Sequence, residues 1–256
     1  MSRWNADHYL KFGDERTRPA LDLALRINLS QPRTIVDLGC GPGNSTQVLR
    51  ERWPESDIVG LDNSPEMIES ARQAYPDHQW QLANIADWNP TQPIDLVYSN
   101  AVLMWLPNHA ELIPRLLHSV APGGAMAFQI PSRNYATVRT IIHDISRDSC
   151  WTDRMEGPRN AMTMEQPSFY YDVLVKQTRE LDIWETEYYH VIESTDAIVD
   201  WIASTGLRPF LAALEPDEEH QNFMKELSRR VHDSYETRVD GKVLYPFRRT
   251  FVIAYR

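Results

Sequence analysis

The chain has 256 residues, 42% of them hydrophobic and 24% charged, with a formal net charge of −10. That is the composition of a water-soluble globular protein with one well-filled core; no apolar run reaches the length of a membrane span, and the opening Met1-Ser2-Arg3-Trp4-Asn5 carries no apolar signal core. The acidic balance argues against a nucleic-acid partner, and the two cysteines, Cys40 and Cys150, make no disulfide framework, so both read as small buried residues of a cytoplasmic protein.

In chain order, residues 1–30 read as a helical cover, and from about residue 33 to 130 strand and helix patterns alternate, as a parallel sheet with covering helices requires. Thr34–Leu38 is the first expected strand, and Ser45–Trp53 a helix stopped before Pro54. Asp57–Leu61 is a second strand, after which Ser64 caps a helix with Pro65 in its first turn. Trp80–Leu82 and Ile94–Ser99 are further strands. Asn108–Val120 is helical, with Pro114 a poor fit that predicts a kink. Ala121-Pro122-Gly123-Gly124 reads as a turn into a fifth strand, Ala125–Ile130. Residues 131–180 mix helical pieces with an expected loop at 155–168, and Ile183–His190 is strand-like. Ser194 caps a helix expected to end at Gly206. Phe223, Leu227, Val231 and Tyr235 mark another helix by their spacing of four. Asp240-Gly241 suits a tight turn before a last strand in which Tyr245, Phe247, Phe251, Ile253 and Tyr255 alternate. Residues 31–130 thus form a core, with 131–180 and 194–236 as helical insertions capping it in one domain.

Residues 36–44 carry the most chemistry. Glycines at 39, 41 and 43 end the first strand, with Asp37 ahead of them and a helix starting near Asn44. Glycine admits positive φ and leaves no Cβ between the main chain and a ligand. The spacing is G-x-G-x-G, not the G-x-G-x-x-G of a dinucleotide site. A carboxylate at 37 would repel a pyrophosphate and attract an ammonium and a sulfonium. The run Asp37-Leu38-Gly39-Cys40-Gly41-Pro42-Gly43-Asn44 is similar to the first motif of class I S-adenosylmethionine-dependent methyltransferases, and a nicotinamide enzyme is the alternative. Asp62, about 20 residues on, stands where a ribose-binding acid belongs, its bland reading being a helix cap. Asn63 follows, and Met67 is placed to cover one face of an adenine. Asn84, before Ile85, stands where the resemblance leads one to expect an aspartate; as a neutral acceptor it binds an adenine amino group more weakly, and Asp87 is the rival. Asn100-Ala101 is placed to meet a methionine moiety. Trp105, next along the same edge, reads equally as a core residue.

Beyond this half, patches of aromatic residues and arginines stand out: Trp4-Asn5 with Tyr9-Leu10, Arg16 and Arg18-Pro19; Phe169-Tyr170-Tyr171-Asp172; Tyr188-Tyr189-His190; and Trp201 with Thr205-Gly206-Leu207-Arg208-Pro209. Screening over about 8–10 Å lets a basic pocket persist in an acidic chain. Together with the glycine motif, the Trp105-Leu106-Pro107 segment and Asp182-Ile183-Trp184, these patches resemble the trans-aconitate 2-methyltransferase family along essentially the whole chain.

The resemblance implies a Rossmann-like α/β fold of seven mostly parallel strands, the last antiparallel, with a helical cap. It also implies methyl transfer from S-adenosylmethionine, leaving S-adenosylhomocysteine, to a carboxylate of a small tricarboxylate. A carboxyl group of pKa near 4 is already ionised at neutral pH, so no general base is expected, and the eight scattered histidines show no metal-ligand spacing. Arg208, Arg16 or Arg18, with Tyr171 beside them, are expected to hold the non-reacting carboxylates, with Tyr9 and Trp105 bracketing the methyl. The rivals are methylation of another acid or a phenol, or a non-catalytic module that binds the same donor.

Overall fold

The computed structural model describes residues 13–133, 136–148, 151, 153–215 and 218–256. It contains a seven-stranded sheet of order β3-β2-β1-β4-β5-β7-β6. The strands are β1 (Thr34–Leu38), β2 (Asp57–Asp62), β3 (Gln79–Leu82), β4 (Ile94–Asn100), β5 (Val120–Pro131), β6 (Glu180–Ile192) and β7 (Val243–Tyr255). Strands β1 to β5 run parallel, with Asp37 in register with Gly60 on one side and Tyr98 on the other. Strand β7 runs against β5. Gly123 donates its N–H to Arg256 O at 2.9 Å and Arg256 donates its own to Gly124 O at 3.0 Å, so two residues of β5 oppose one at the end of β7, a bulge of the antiparallel kind with its glycine at φ 84°.

Two compact units divide the chain. The larger holds residues 13–132, 163–186 and 250–256 of the described chain. Its helices are α1 (Gly13–Arg26), α2 (Asn44–Arg52), α3 (Pro65–Ala74), α4 (His109–His118) and α7 (Pro167–Leu174). The central strands are buried on both faces, so they read as continuous apolar runs, and Ile35, Leu38, Ile58, Leu61, Leu96 and Phe128 fill the core. The start of α3 follows from its sequence: Ser64 Oγ accepts the Met67 N–H at 3.3 Å, and Pro65 at the first turn has no N–H to leave unpaired.

The smaller unit holds described residues within 133–162 and 187–249. It contains α5 (Thr137–Ile145), the one-turn α6 (Glu156–Arg159), α8 (Thr195–Ala203), the one-turn α9 (Arg208–Leu211) and α10 (Glu218–Ser234). Phe223, Leu227 and Val231 form the buried stripe of α10, and His190, Trp201, Tyr245 and Phe247 pack ring against ring in a second apolar cluster.

Some elements differ from the sequence reading. Residues 121–124 lie inside β5 and are not a turn before it; a register shift between Ile94 and Leu96 absorbs them, Gly123 sits at φ 84°, and pairing with Arg256 keeps the stretch in the sheet. The helix from Thr195 ends at Ala203, three residues before Gly206. The 155–168 stretch carries α6 and the first residues of α7. Among the described residues, no helix is long and apolar enough to cross a membrane.

Candidate functional site

The strand order reverses between β1 and β4, so the loops leaving the carboxyl ends of these two strands part and open a crevice in the larger unit. The glycine turn lies at its mouth. Gly39, Gly41 and Gly43 have φ of 74°, 54° and 99°, a left-handed backbone that other L-residues adopt at a cost. A Cβ on Gly39 would lie 2.3 Å from Val102 Cγ2, so the missing side chain lets the loop after β4 close against the turn. A Cβ on Gly41 would meet nothing within 4 Å and would project into open space. Gly39 and Cys40 both donate their N–H groups to Leu61 O, at 2.6 and 3.0 Å, which fastens the turn to β2.

Two carboxylates underlie this turn. Asp37 is fully buried; its Oδ2 accepts the hydroxyls of Ser45 at 2.6 Å and Thr46 at 2.7 Å, while Oδ1 has no hydrogen-bond partner among the described residues. Burial pushes its pKa up to about 6 against the two hydroxyl bonds, and the nearby Asp62 adds to the rise. Asp62 accepts the Gly41 N–H on Oδ2 and the Ser64 N–H on Oδ1, each at 2.9 Å. It thus shapes the turn ahead of α3 and ties the glycine turn to the end of β2. Burial raises its pKa too, opposed by backbone N–H groups.

Around the rim, Asn84 is exposed and joined to its rival: its Nδ2 donates to Asp87 Oδ2 at 3.3 Å, and its Oδ1 accepts the Ala86 N–H at 3.0 Å. Arg115 holds this loop from beneath, donating to Trp88 O at 2.6 Å and Ile85 O at 2.9 Å. Asn100 Oδ1 accepts from Gln129 Nε2 at 2.6 Å, and the Ala101 N–H donates to Gln129 O at 2.9 Å. Ala101 has φ 58°, a strained setting for a residue with a Cβ. Asn44 is half-buried at the start of α2, Asn63 is exposed, and Met67, Ile85 and Cys40 are buried.

A family profile described as a methyltransferase domain matches residues 9–181. Along its whole length the chain is 45% identical to a trans-aconitate 2-methyltransferase of Azoarcus sp. strain BH72, over all of both chains. It is 43% identical to one from Methylobacterium radiotolerans, over 99% of this chain and 98% of that one, and 41% identical to one from Escherichia coli K12, over 100% and 99%. The chain belongs to the trans-aconitate 2-methyltransferase family. Solved structures agree on the fold of the family member described here. The YcgJ protein of a Bacillus aligns over 93% of this chain and 98% of its own, with a TM-score of 0.60 and 12% identity. A phosphoethanolamine N-methyltransferase of Haemonchus contortus, crystallised with S-adenosyl-L-methionine, aligns over 93% of this chain and 52% of its own, with a TM-score of 0.56 and 11% identity.

The methyltransferase residues expected from sequence fall into two groups. Asp37, the glycine turn, Asp62, Asn84, Asn100, Ala101 and Trp105 all lie in the larger unit, on loops at the carboxyl ends of β1 to β4 or just beneath them. The acceptor set does not fall within one unit. Tyr9 lies outside the described residues, as does the side chain of Arg16; Arg18 is exposed on α1, and Tyr171 is 52% exposed on α7. Arg208 opens α9 in the smaller unit, half-buried, and desolvation lowers the pKa of its guanidinium. Sequence reasoning missed Ser45 and Thr46 as partners of Asp37, although two hydroxyl residues directly after a glycine turn are a readable signal. It also missed Val102, Gln129 and Arg115, which act through tertiary contacts that no local pattern announces.

Proposed function

We propose that the protein transfers a methyl group from S-adenosylmethionine to a carboxylate of trans-aconitate, giving a monomethyl ester and S-adenosylhomocysteine, without a metal and in the cytoplasm. The observation that carries this reading is the end-to-end likeness to enzymes of that name, at 45% and 41% identity. The crevice fits the donor: Gly41 leaves open space above bare backbone, and Asp37 Oδ1 is a buried carboxylate oxygen without a partner among the described residues. When bound, S-adenosylmethionine supplies an electrophilic methyl on a positively charged sulfur. Gly39, Cys40, Gly41 and Asn44 give it close approach to the main chain. Asp62 accepts ribose hydroxyls, with Asn63 alongside. Asn84 or Asp87, with Ile85 and Met67, holds the adenine, and Asn100 and Ala101 meet the methionine end. Asp37 supplies negative charge beneath that end.

On the acceptor side the nucleophile is already an anion at neutral pH, so no residue has to remove a proton. The protein contributes orientation and exclusion of water, worth about 7–11 kcal/mol in favourable cases. Arg208, Arg16, Arg18 and Tyr171 hold the non-reacting carboxylates, because a guanidinium clasping the reacting one would occupy its lone pairs. Tyr9 and Trp105 confine the reacting group. The test is a panel of di- and tricarboxylic acids, phenols and amines, with initial rates measured and products identified by mass spectrometry. Trans-aconitate should show the highest kcat/KM and yield an ester; a phenol or amine preferred over every acid would overturn the reading.

A further inference from the structure

The segment between β4 and α4 is bracketed by strain. Among the described residues, Ala101 at φ 58° and Asn108 at φ 55° are the non-glycine residues with positive φ, and they stand at its two ends. Between them a 3-10 turn, Leu103–Trp105, carries the tryptophan assigned above to the acceptor wall. Backbone of this kind persists only where its surroundings over-determine it.

The restraints are visible. Ala101 N–H is held by Gln129 O at 2.9 Å, and Met104 O accepts the Thr163 N–H at 2.8 Å. The third is a buried relay. His109, 1% exposed, has Nε2 2.9 Å from Leu103 O; a carbonyl only accepts, so Nε2 carries the proton. Its Nδ1, 2.8 Å from the hydroxyl of Tyr170, therefore accepts from that phenol. Tyr170 is itself fully buried on α7, its ring edge-on to Phe128 of β5 with centroids 5.3 Å apart. The chain Tyr170 O–H to His109 to Leu103 O thus ties the 3-10 turn to the sheet core through two buried side chains.

We infer that His109 and Tyr170 are positioning residues for methyl transfer, fixing Trp105 at the acceptor through the strained 101–108 segment. This rests on the proposed reading that Trp105 borders the acceptor. The bland alternative is a satisfied core pair that stabilises the fold and nothing more.

A double-mutant cycle separates the two. Tyr170→Phe removes one hydroxyl and keeps the ring; it should lower kcat/KM for trans-aconitate about 3–10-fold, the worth of one such bond, with the Kd for S-adenosylhomocysteine unchanged. Trp105→Ala alone should also lower it, and adding Tyr170→Phe to Trp105→Ala should cost nothing further. Equal fold-losses from Tyr170→Phe in both backgrounds, or no loss in either, would overturn the inference. If Trp105→Ala alone leaves acceptor kinetics intact, the wall reading fails, and the inference with it. Should Tyr170→Phe not fold, Asn108→Gly serves: relaxing the strained hinge should lower kcat several-fold without lowering Tm, and unchanged kcat would overturn the inference.

Discussion

At the residue scale, Asp37 sets a tension between stability and binding. Its pKa is pushed up to about 6 by burial, from an ordinary value of 3.8. The folded state therefore holds the proton more tightly than the unfolded chain. This group's contribution is most favourable below about pH 4 and is lost as pH rises through 6, a penalty of roughly 3 kcal/mol at neutral pH. Asp37→Asn should accordingly raise Tm by several degrees at pH 8 and by little at pH 4.5, measured by calorimetry. The same ionisation should serve the cationic donor, so S-adenosylmethionine affinity should rise with pH between about 5 and 7 and release a proton on binding. Titration calorimetry in buffers of different ionisation enthalpy checks this, and Asp37→Asn should flatten the slope. The glycines separate in the same way. Gly39→Ala meets Val102 as well as an adverse φ and should cost about 2–5 kcal/mol of stability. Gly41→Ala meets only the adverse φ, at about 1–2 kcal/mol, and should show its main loss in donor affinity. Equal losses of stability in the two variants would contradict the geometry.

At the element scale, the sheet was legible because each strand is a short apolar run closed by a polar residue or glycine, and the parallel core leaves no other use for such runs. Thr34–Leu38 was read to the residue, and β2 and β4 to within one. What misled was glycine at 123 and 124: the composition of a turn, held inside a strand by pairing with the chain terminus. The placing of the proposed donor residues was legible for the same reason, since they follow strand ends in order. The proposed acceptor residues follow no such strand-end order. Arginines 16 and 18 lie two positions apart in the sequence, and sequence alone does not say which one a ligand meets. Arg208, at the start of α9, gives the cleaner test. Arg208→Ala should lower kcat/KM for trans-aconitate about 10–150-fold, the worth of a charge-assisted bond of about 1.5–3 kcal/mol, and leave donor affinity unchanged. Parallel loss of both would place Arg208 outside the acceptor site.

At the scale of the whole molecule, the proposed donor site draws on the larger unit alone, while the proposed acceptor residues come from both units. The larger unit carries the glycine turn, both acids and the strained segment after β4. Its parts agree with one another: a turn rich in glycine with a buried carboxylate beneath it. The central proposal is that methyl passes from a sulfonium to a carboxylate already charged. The most direct measurement follows the carbon itself. With S-adenosylmethionine labelled with carbon-13 at its methyl, the protein and trans-aconitate, a single methyl-ester resonance should grow in step with S-adenosylhomocysteine. Donor bound by the protein but left intact, with no ester signal beside excess trans-aconitate, would contradict it.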